Sequence, residues 1–491
     1  MTGFDGPWPD VLRATLEGAP RALVLTRPAT GESWTADAVL CLADAIAAAI
    51  ARHGSPSCVW VCDDVGVTTL ATLLALRGTA VMVDGRTPDA AADRLAKTAS
   101  PDLVVVSDAL ERLAAWATGR ATPVLVAGHE VRLSHAPHTW AGSSAGALQL
   151  GVVTSGTASA PHLVTLPAEQ VEAALAGVWR HADLRPDDAV LTVSPLHHTL
   201  GLITGLLAPV IRGARVARAS AARLPAARGL RCTWSAMSPA ALGLLLARGV
   251  FGPKWTPRVL RTSSAPLTAE LVGHLRDMGE SLLLNAYVLS EAPGEVSSRR
   301  FSPSCPGDVG PGTVCEIAIA DDAGRLVPDG HDGEIWIRGA NVVRDALLSR
   351  AGPELSSSAC ELVRAGWSPT ADQGALQSGE LVVKGRIGDL INCGGEKIAP
   401  HDVEAVLARH PGVRECVAFP VPHRTLGEGL AVAVVAGGPD VTPKILRSTI
   451  LDHLRPSHNP LNIVVVAAIP KTARGKVSRR SLAREFGLTE D

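Results

Sequence analysis

An apolar run at residues 148–153 predicts a short buried strand, which leads into a stretch of small and hydroxylated residues ending at His162. Small side chains let backbone N–H groups approach a phosphate, and the hydroxyls of Thr154, Ser155 and Thr157 add donors. A strand followed by such a loop is typical of an anion-binding site. An ordinary surface turn is an equally good interpretation of the loop taken alone, because loops of this composition are common.

Alternating strand and helix patterns lie on both sides of this loop. Before it, strand patterns at 57–62, 79–83 and 102–106 alternate with helical patterns at 34–53, 68–76 and 93–97. After it, strand patterns at 188–193, 216, 231–234, 259–262 and 281–285 alternate with helical patterns at 167–182, 239–248 and 269–279, and an apolar helix ends at Ile211. This alternation predicts parallel βαβ units. Residues 117–144 are polar and predict an irregular connection.

The pattern changes twice in the second half of the chain. Residues 307–339 contain short alternating runs with Gly and Asp turns, which predict antiparallel strands, and residues 380–384 predict one more. Beyond residue 385, helical patterns at 401–409 and 442–454 and strand patterns at 413–420, 430–435 and 462–466 predict a compact α+β unit. We therefore expect an α/β protein with domains at 1–385 and 386–491.

Composition excludes several classes of protein. The chain has 491 residues, 46% hydrophobic and 19% charged, which predicts a soluble globular protein of two or three domains. A net charge of −2 argues against a nucleic-acid partner, and no apolar run is long enough to cross a membrane. Residues 1–10 do not resemble a signal peptide, and the nine scattered cysteines are expected to be reduced, as in a cytoplasmic protein. The arginine-rich, lysine-poor usage hints at a GC-rich bacterial genome and specialised metabolism.

Four further motifs follow the loop. They are Asn-Ala-Tyr-Val-Leu-Ser-Glu at 285–291, Thr-Ala-Asp at 370–372, Gly-Arg-Ile-Gly-Asp at 385–389 and Pro-Lys-Thr-Ala-Arg-Gly-Lys at 470–476. In this order, they make the chain resemble the adenylate-forming superfamily of acyl-CoA and aryl-CoA synthetases, peptide-synthetase adenylation domains and luciferases. The resemblance covers nearly the whole chain. Within this superfamily, the chain most resembles a stand-alone acyl- or aryl-CoA ligase, but one with a degenerate phosphate loop.

The resemblance implies a fold and an activity. The fold is a large N-terminal domain of βαβ subdomains with a small antiparallel β subdomain, followed by a mobile C-terminal α+β domain. The activity is ATP-dependent conversion of a carboxylate to an acyl-adenylate with release of pyrophosphate, followed by transfer to a thiol of CoA or of carrier-protein phosphopantetheine. Family members move the C-terminal domain between two poses about a hinge, which here falls at Gly388, a residue with wide backbone freedom.

The resemblance also implies roles for individual residues. The contacts to the β- and γ-phosphates would come from Thr154, Ser155, Gly156 and Thr157. The adenine would stack on Tyr287, and the small residues Ser264 and Ala265 would line the adenine and acyl pocket. The remaining polar contacts would come from Ser290 to a phosphate, Glu291 to Mg²⁺, Asp372 to both ribose hydroxyls, Arg386 to ribose and phosphate, and Lys476 to the substrate carboxylate and α-phosphate.

The phosphate loop departs from the family pattern. Ala158, Ser159 and His162 replace the Thr, Gly and Lys of the second half of the family motif. A mostly neutral histidine offers less charge to a triphosphate than lysine does. Either the loop still works through hydroxyls, backbone and Mg²⁺, or the chain is a non-catalytic relative. An active enzyme is the better interpretation, because Tyr287, Glu291, Asp372, Arg386 and Lys476 are all present.

Substrate and acceptor are less well defined. The run at 191–199 has no acidic residue that could bind an α-ammonium group, so a small acyl or aryl acid is favoured over an α-amino acid. His198 matches the family histidine that borders the acyl pocket near the carboxylate, whereas a structural role is favoured for His197. Val288 replaces a family glycine and would narrow the pocket. An amide-forming or other nitrogen-activating ligase remains an alternative to thioester synthesis, and the oligomeric state is left open.

Overall fold

The computed structural model describes residues 6–488 except for 86, 108–110, 128–130, 135–146, 155–161, 220–231, 252–256, 266, 268, 277–281, 303–307, 352–355, 394–395, 425, 439–440, 455 and 472–476. The strands of the first two sheets are β1 Leu23–Arg27, β2 Glu32–Thr35, β3 Cys58–Cys62, β4 Thr79–Met82, β5 Leu103–Ser107, β6 Val124–Ala127, β7 Val131–Leu133, β8 Gln149–Thr154, β9 His162–Leu166, β10 Ala189–Thr192, β11 Arg215–Arg218, β12 Trp234–Met237, β13 Val259–Ser263, β14 Leu282–Tyr287 and β15 Ser297–Arg300. The later strands are β16 Asp308–Gly310, β17 Cys315–Ala320, β18 Gly333–Gly339, β19 Ser368–Gln377, β20 Glu380–Arg386, β21 Ile391–Cys393, β22 Glu396–Ile398, β23 Val413–His423, β24 Gly427–Ala436 and β25 Asn462–Val465.

Helices cover the sheets. They are α1 Trp8–Gly18, α2 Ala36–Ala51, α3 Val67–Ala75, α4 Asp89–Ala96, α5 Glu111–Thr118, α6 Ala168–His181, α7 Ala208–Ile211, α8 Pro239–Ala247, α9 Ala269–Arg276, α10 Arg344–Ala351, α11 Ser357–Arg364, α12 Pro400–Leu407, α13 Pro443–His453 and α14 Arg479–Glu485. A π-helical segment, Leu200–Leu207, runs directly into α7. It passes close to the first sheet, because a Cβ atom built on Gly205 would lie 2.4 Å from Thr192 Oγ1.

Two large sheets form the main body. The first sheet has the strand order β15-β14-β13-β12-β10-β11-β1-β2, and the second has the order β7-β6-β5-β3-β4-β8-β9. Inner strands of both sheets pair in parallel, and the edge strands β2, β15, β7 and β9 pair antiparallel. One cluster of buried apolar side chains joins the two sheets and includes Val59 and Leu150 of the second and Val190 and Trp234 of the first.

The third and fourth sheets are smaller. The third sheet, β16-β20-β19-β18-β17, is antiparallel throughout, as the alternating pattern at 307–339 predicts. The fourth sheet contains β21 to β25 and packs against α12, α13 and α14, which together form the C-terminal α+β unit. The predicted α/β class is therefore confirmed. Strand β20 of the third sheet continues to Arg386, and the fourth sheet begins at Ile391.

Sequence patterns are wrong mainly at short strands. Trp34 lies in β2 rather than in the following helix, and β6 and β7 lie within the stretch 117–144 that was expected to be irregular. The phosphate loop leads into β9 rather than directly into α6, and the described strand near Trp234 starts there instead of ending there. Strands of three to five residues are too short to show a period, so their pairing partners determine them.

Two further expectations concern the cysteines and the membrane. The eight cysteines in the described part of the chain are all free thiols. Among the helices with described residues, none is long and apolar enough to cross a bilayer.

Candidate active site

The carboxyl ends of β13 and β14 bring together two predicted pocket segments. Ser263 at the end of β13 is in register with Ala286 of β14, so Ser264 and Ala265 emerge beside Tyr287. Parallel sheets bind ligands at this edge. Ser264 has a φ of +78°, an unfavourable value for a residue with a Cβ atom. Such strain is common at functional sites.

A second strand pair supplies the charged part of the site. Asp372 in β19 is in register with Arg386 in β20, and Arg386 Nε lies 2.6 Å from Asp372 Oδ1. The Tyr287 hydroxyl donates to the other carboxylate oxygen, Asp372 Oδ2, at 2.5 Å. Asp372 is only 4% exposed. Ala371, the residue before it, has a φ of +58°, so the backbone is strained here as well. The structure thus unites three of the predicted nucleotide-binding residues.

Burial and charge set the protonation states of this group. Burial raises the pKa of the Tyr287 hydroxyl well above its ordinary value, and the Asp372 carboxylate raises it further. Burial alone would lower the pKa of Arg386, but the surrounding negative charges, of which the Asp372 carboxylate is the strongest, together outweigh it and the pKa is raised. Tyr287 therefore stays a neutral donor and Arg386 a cation, and both contact the Asp372 carboxylate.

Glu291 follows β14 on a loop that is attached to the third sheet. Its side chain is buried, with 5% of the residue exposed, and its charge helps to raise the pKa of Arg386. The Glu291 carbonyl accepts a hydrogen bond from the Val343 N–H at 2.8 Å. Further along the loop, Asn341 Nδ2 donates to the carbonyls of Pro293 and Glu295. Ser290 is half-buried beside Glu291.

The paired histidines lie on the turn between β10 and the π-helical segment. Their rings are in contact, with centroids 4.3 Å apart. His197 Nε2 lies 3.9 Å from Asp84 Oδ2, just after β4 in the second sheet. The His198 carbonyl accepts the Leu202 N–H at 2.9 Å and so begins the helical turn. Both rings therefore lie where the two large sheets meet.

Arg218 is a buried cation that the sequence patterns do not single out. It ends β11, and its Nε donates to the Asp64 carbonyl at 2.7 Å while Nη1 donates to the Ser194 carbonyl at 2.6 Å. Burial lowers the pKa of Arg218 to about 10, so the side chain remains charged at neutral pH. Asp64 follows β3 of the second sheet, so this guanidinium ties the two sheets together next to the histidines. The sequence signal for this role is an arginine directly after the apolar Val216 and Ala217.

Contacts around residue 388 connect the third sheet with the C-terminal unit. The Gly388 carbonyl accepts from Arg480 Nη2 at 3.0 Å, and Arg480 Nη1 pairs with Glu428 at 2.9 Å. Lys384 Nζ lies 2.7 Å from Asp332 Oδ2 and 3.2 Å from Asp402 Oδ1. The expected hinge glycine lacks a side-chain anchor of its own, but its carbonyl is held by α14.

Several predicted site residues lie outside the part of the chain that the structure describes. Ser155, Gly156, Thr157 and Lys476 lie outside the described residues. So do the loop substitutions Ala158 and Ser159. The backbones of Thr154 and His162 pair as the facing ends of β8 and β9, and their side chains lie outside the described part. The roles of these residues stay predictions.

Comparison with known proteins places the chain in a family. The AMP-binding enzyme family matches residues 12–345, and the AMP-binding enzyme C-terminal domain matches residues 402–476. The chain belongs to the AMP-binding enzyme family. The resemblance to adenylate-forming enzymes read from the motifs is thereby confirmed.

Relatives within the family are similar over most of this chain. An oxalate–CoA ligase of Arabidopsis thaliana is 33% identical over 347 residues, which cover 68% of this chain and 66% of the relative. A sulfoacetate–CoA ligase of Cupriavidus necator is 30% identical over 345 residues, which cover 67% of this chain and 65% of the relative. The match thus spans just under two thirds of each relative's length. ATP-bound MatB from Rhodopseudomonas palustris has a similar fold, with a TM-score of 0.80 and 21% identity over 97% of this chain and 98% of that one.

Proposed function

We propose that this chain uses ATP to activate a small carboxylic acid as an acyl-adenylate and then transfers the acyl group to a thiol of CoA or of carrier-protein phosphopantetheine. One observation carries the proposal. The buried Asp372 carboxylate, held by Tyr287 and Arg386, lies beside the carboxyl ends of parallel strands in a chain of the AMP-binding enzyme family. A carboxylate oxygen can accept more than one hydrogen bond, so both oxygens keep capacity for ribose hydroxyls.

The chemistry is two successive displacements. In the first, a carboxylate oxygen of the acid attacks the α-phosphorus of ATP, and the bond from that phosphorus to the bridging oxygen breaks, which releases pyrophosphate. In the second, the thiol sulfur attacks the acyl carbon, AMP leaves with the electron pair, and the thiol proton passes to water. In the first step, Tyr287 and Asp372 would position the nucleoside, Arg386 would contact the ribose and phosphate, and Lys476 would neutralise charge developing on phosphorus.

A magnesium ion fits the donor set at Glu291. Hard cations prefer carboxylate and phosphate oxygens, and Glu291 provides a buried carboxylate. No group of three or more His, Cys, Asp or Glu side chains among the described residues could hold a metal by itself. Glu291 would therefore hold the ion together with phosphate oxygens of the nucleotide, with Ser290 adding a phosphate contact. The ion, when bound, supplies positive charge next to the leaving pyrophosphate.

The acid is proposed to be small. Two of the relatives similar to this chain are named for ligation of oxalate and of sulfoacetate to CoA, and both of these acids are short. His198 lies on the turn between the two large sheets, where it could border the acid carboxylate. Val288, directly after Tyr287, adds an isopropyl group beside the proposed pocket and supports the same preference.

Acid-dependent release of pyrophosphate tests this function. The purified chain is incubated with ATP, MgCl2 and a panel of short aliphatic and aryl acids, with CoA, a phosphopantetheinyl carrier or amines as acceptors, and the products are identified by mass. Lys476→Ala should lower release by about 100-fold or more, as expected when one charge-stabilising group is removed. Lys444→Ala, an exposed lysine of α13, serves as the control and should leave the rate unchanged.

Two results would contradict the proposal. Retained ATP binding without pyrophosphate release for any acid would identify a non-catalytic relative. Release that yields only amides would identify a nitrogen-activating ligase.

A further inference from the structure

A fully buried ion pair lies behind the loop that carries Glu291. Arg261 of β13 and Glu295 are both 0% exposed, and Arg261 Nη2 lies 3.3 Å from Glu295 Oε2. The same nitrogen donates to the Gly294 carbonyl at 2.8 Å, and Glu295 Oε1 accepts from the Ser298 hydroxyl. The two charges therefore compensate each other inside the protein.

Only one of the three guanidinium nitrogens of Arg261, Nη2, contacts Glu295 and the Gly294 carbonyl. Its Nε and Nη1 groups have no hydrogen-bond acceptor within the described part of the chain, although both are fully buried. A buried donor without an acceptor has lost its hydrogen bonds to water and forms none within the protein. This loss destabilises the folded state, so such groups are rare in native proteins. A bound acceptor, either water or part of a ligand, is the physical explanation for donors left in this position.

Strand geometry places these donors below the proposed acid pocket. Arg261 precedes Ser263 by two residues in β13, so both side chains point to the same face of the first sheet. On that face Arg261 is in register with Ala236, and Ala236 with Thr192. Thr192 lies against Gly205 of the π-helical segment that begins directly after the His198 turn. Arg261 thus lies on the sheet face that also carries Thr192 and Ser263, two residues before the carboxyl end of β13.

Other polar groups on this face are also unpaired. The hydroxyls of Thr192 and Ser263 are buried and have no partner among the described residues. Apolar side chains would fill this layer if it were ordinary core, because unpaired polar groups destabilise a core. A row of donors from Thr192 through Arg261 to Ser263 instead suits a ligand that carries oxygen acceptors.

We propose that Arg261 determines acid specificity by donating hydrogen bonds to a neutral oxygen acceptor, such as a keto or amide carbonyl, at the far end of a short acid. This inference rests on the proposed function, since it concerns the acid that the same site activates. Charge balance favours a neutral acceptor over a second carboxylate. Glu295 already neutralises Arg261, so a second carboxylate would bring an uncompensated charge into a buried layer.

Three matched acids that differ only at one carbon test this inference. Carbon 4 is a ketone carbon in 4-oxopentanoate, a carboxylate carbon in succinate and a methylene carbon in pentanoate. The set is repeated with the variable group at carbon 2 (pyruvate, oxalate, propanoate) and at carbon 5 (5-oxohexanoate, glutarate, hexanoate). The ratio of kcat/KM values within each set is measured by pyrophosphate release, and dissociation constants are measured by calorimetry in the presence of α,β-methylene-ATP.

The wild-type chain should prefer the keto acid of one set over its apolar partner by about 10- to 100-fold, the range for hydrogen bonds to a charged donor. In the double variant Arg261→Met with Glu295→Leu, apolar groups replace both charges, so neither is left unpaired and the fold should be retained. In that variant, the ratio of kcat/KM for the keto acid to kcat/KM for its apolar partner should be close to one. In Glu295→Gln, Arg261 keeps its charge without compensation, so preference should move at least tenfold towards the dicarboxylate.

Several outcomes would overturn the inference. A wild-type preference for the dicarboxylate or the apolar acid would refute the charge argument. An unchanged ratio in a folded double variant would mean that only water binds the free donors. An equal loss for all acids, together with a higher Mg²⁺ requirement, would mean that Arg261 only positions the Glu291 loop. Calorimetric selectivity without pyrophosphate release would contradict the proposed function alone and leave the role of Arg261 standing.

Discussion

Replacement of Asp372 by Asn provides the sharpest test of the nucleotide site. The carboxylate is buried, accepts the Tyr287 hydroxyl at 2.5 Å and lies 2.6 Å from Arg386 Nε. Asn keeps the shape and one acceptor oxygen but removes the negative charge. Hydrogen bonds to a charged group contribute about 1.5–3 kcal/mol each, so weaker contacts to both ribose hydroxyls should cost about 3 kcal/mol in transition-state binding. That loss corresponds to about a 100-fold decrease in kcat/KM for ATP.

Stability should change much less than activity. The Tyr287 hydroxyl can still donate to the Asn oxygen, and the Arg386 side chain is 44% exposed, so water screens the charge that loses its partner. A loss of at most about 1 kcal/mol in the free energy of unfolding is expected. Tyr287→Phe is the matched control, because it removes the donor and leaves the carboxylate and the aromatic ring. That variant should lose less than about tenfold in kcat/KM for ATP, the equivalent of one ordinary hydrogen bond.

A second nucleotide completes the assay. Acid-dependent pyrophosphate release is measured with ATP and with 2′,3′-dideoxy-ATP for the wild type and both variants. The wild type should discriminate against the dideoxy nucleotide by about 100-fold, whereas Asp372→Asn should treat the two nucleotides almost equally. If the Asn variant discriminates as strongly as the wild type, Asp372 does not contact the ribose and the proposed role is wrong.

Two other predictions concern stability. Ser264→Gly should raise the free energy of unfolding by about 0.5–1 kcal/mol, because relief of the strain at positive φ outweighs the greater entropy of glycine in the unfolded chain. Ser264→Ala keeps the Cβ atom and should not raise the free energy of unfolding, which is measured by urea denaturation. An equal gain in the Ala variant would show that the backbone is not the cause. Burial lowers the pKa of His401 in the folded chain, so between pH 7 and pH 5 the unfolded chain binds more protons than the folded chain. The free energy of unfolding should therefore decrease as the pH is lowered from 7 to 5. His401→Gln should flatten this dependence relative to a control at the exposed His331, and an unchanged slope would exclude His401 as its source.

Long periodic segments could be predicted from the sequence because their signal is local. The apolar run before the phosphate loop became β8, and the helical pattern after it became α6, with the missed β9 between them. Edge strands such as β2 and β7 were missed, because a few half-exposed residues show no period and depend on the strand beside them.

Motif spacing by itself determined the family and the residue types that any member needs for its chemistry, because these follow from the order of residues along the chain. Only the tertiary structure joined Tyr287 to Asp372, which are 85 positions apart, and put Arg386 in register with the same carboxylate. It alone also showed that Arg261 and Glu295 are buried together. Contacts between distant residues leave no periodic trace in a single sequence, so the pairing of buried charges was decided by how the sheets pack.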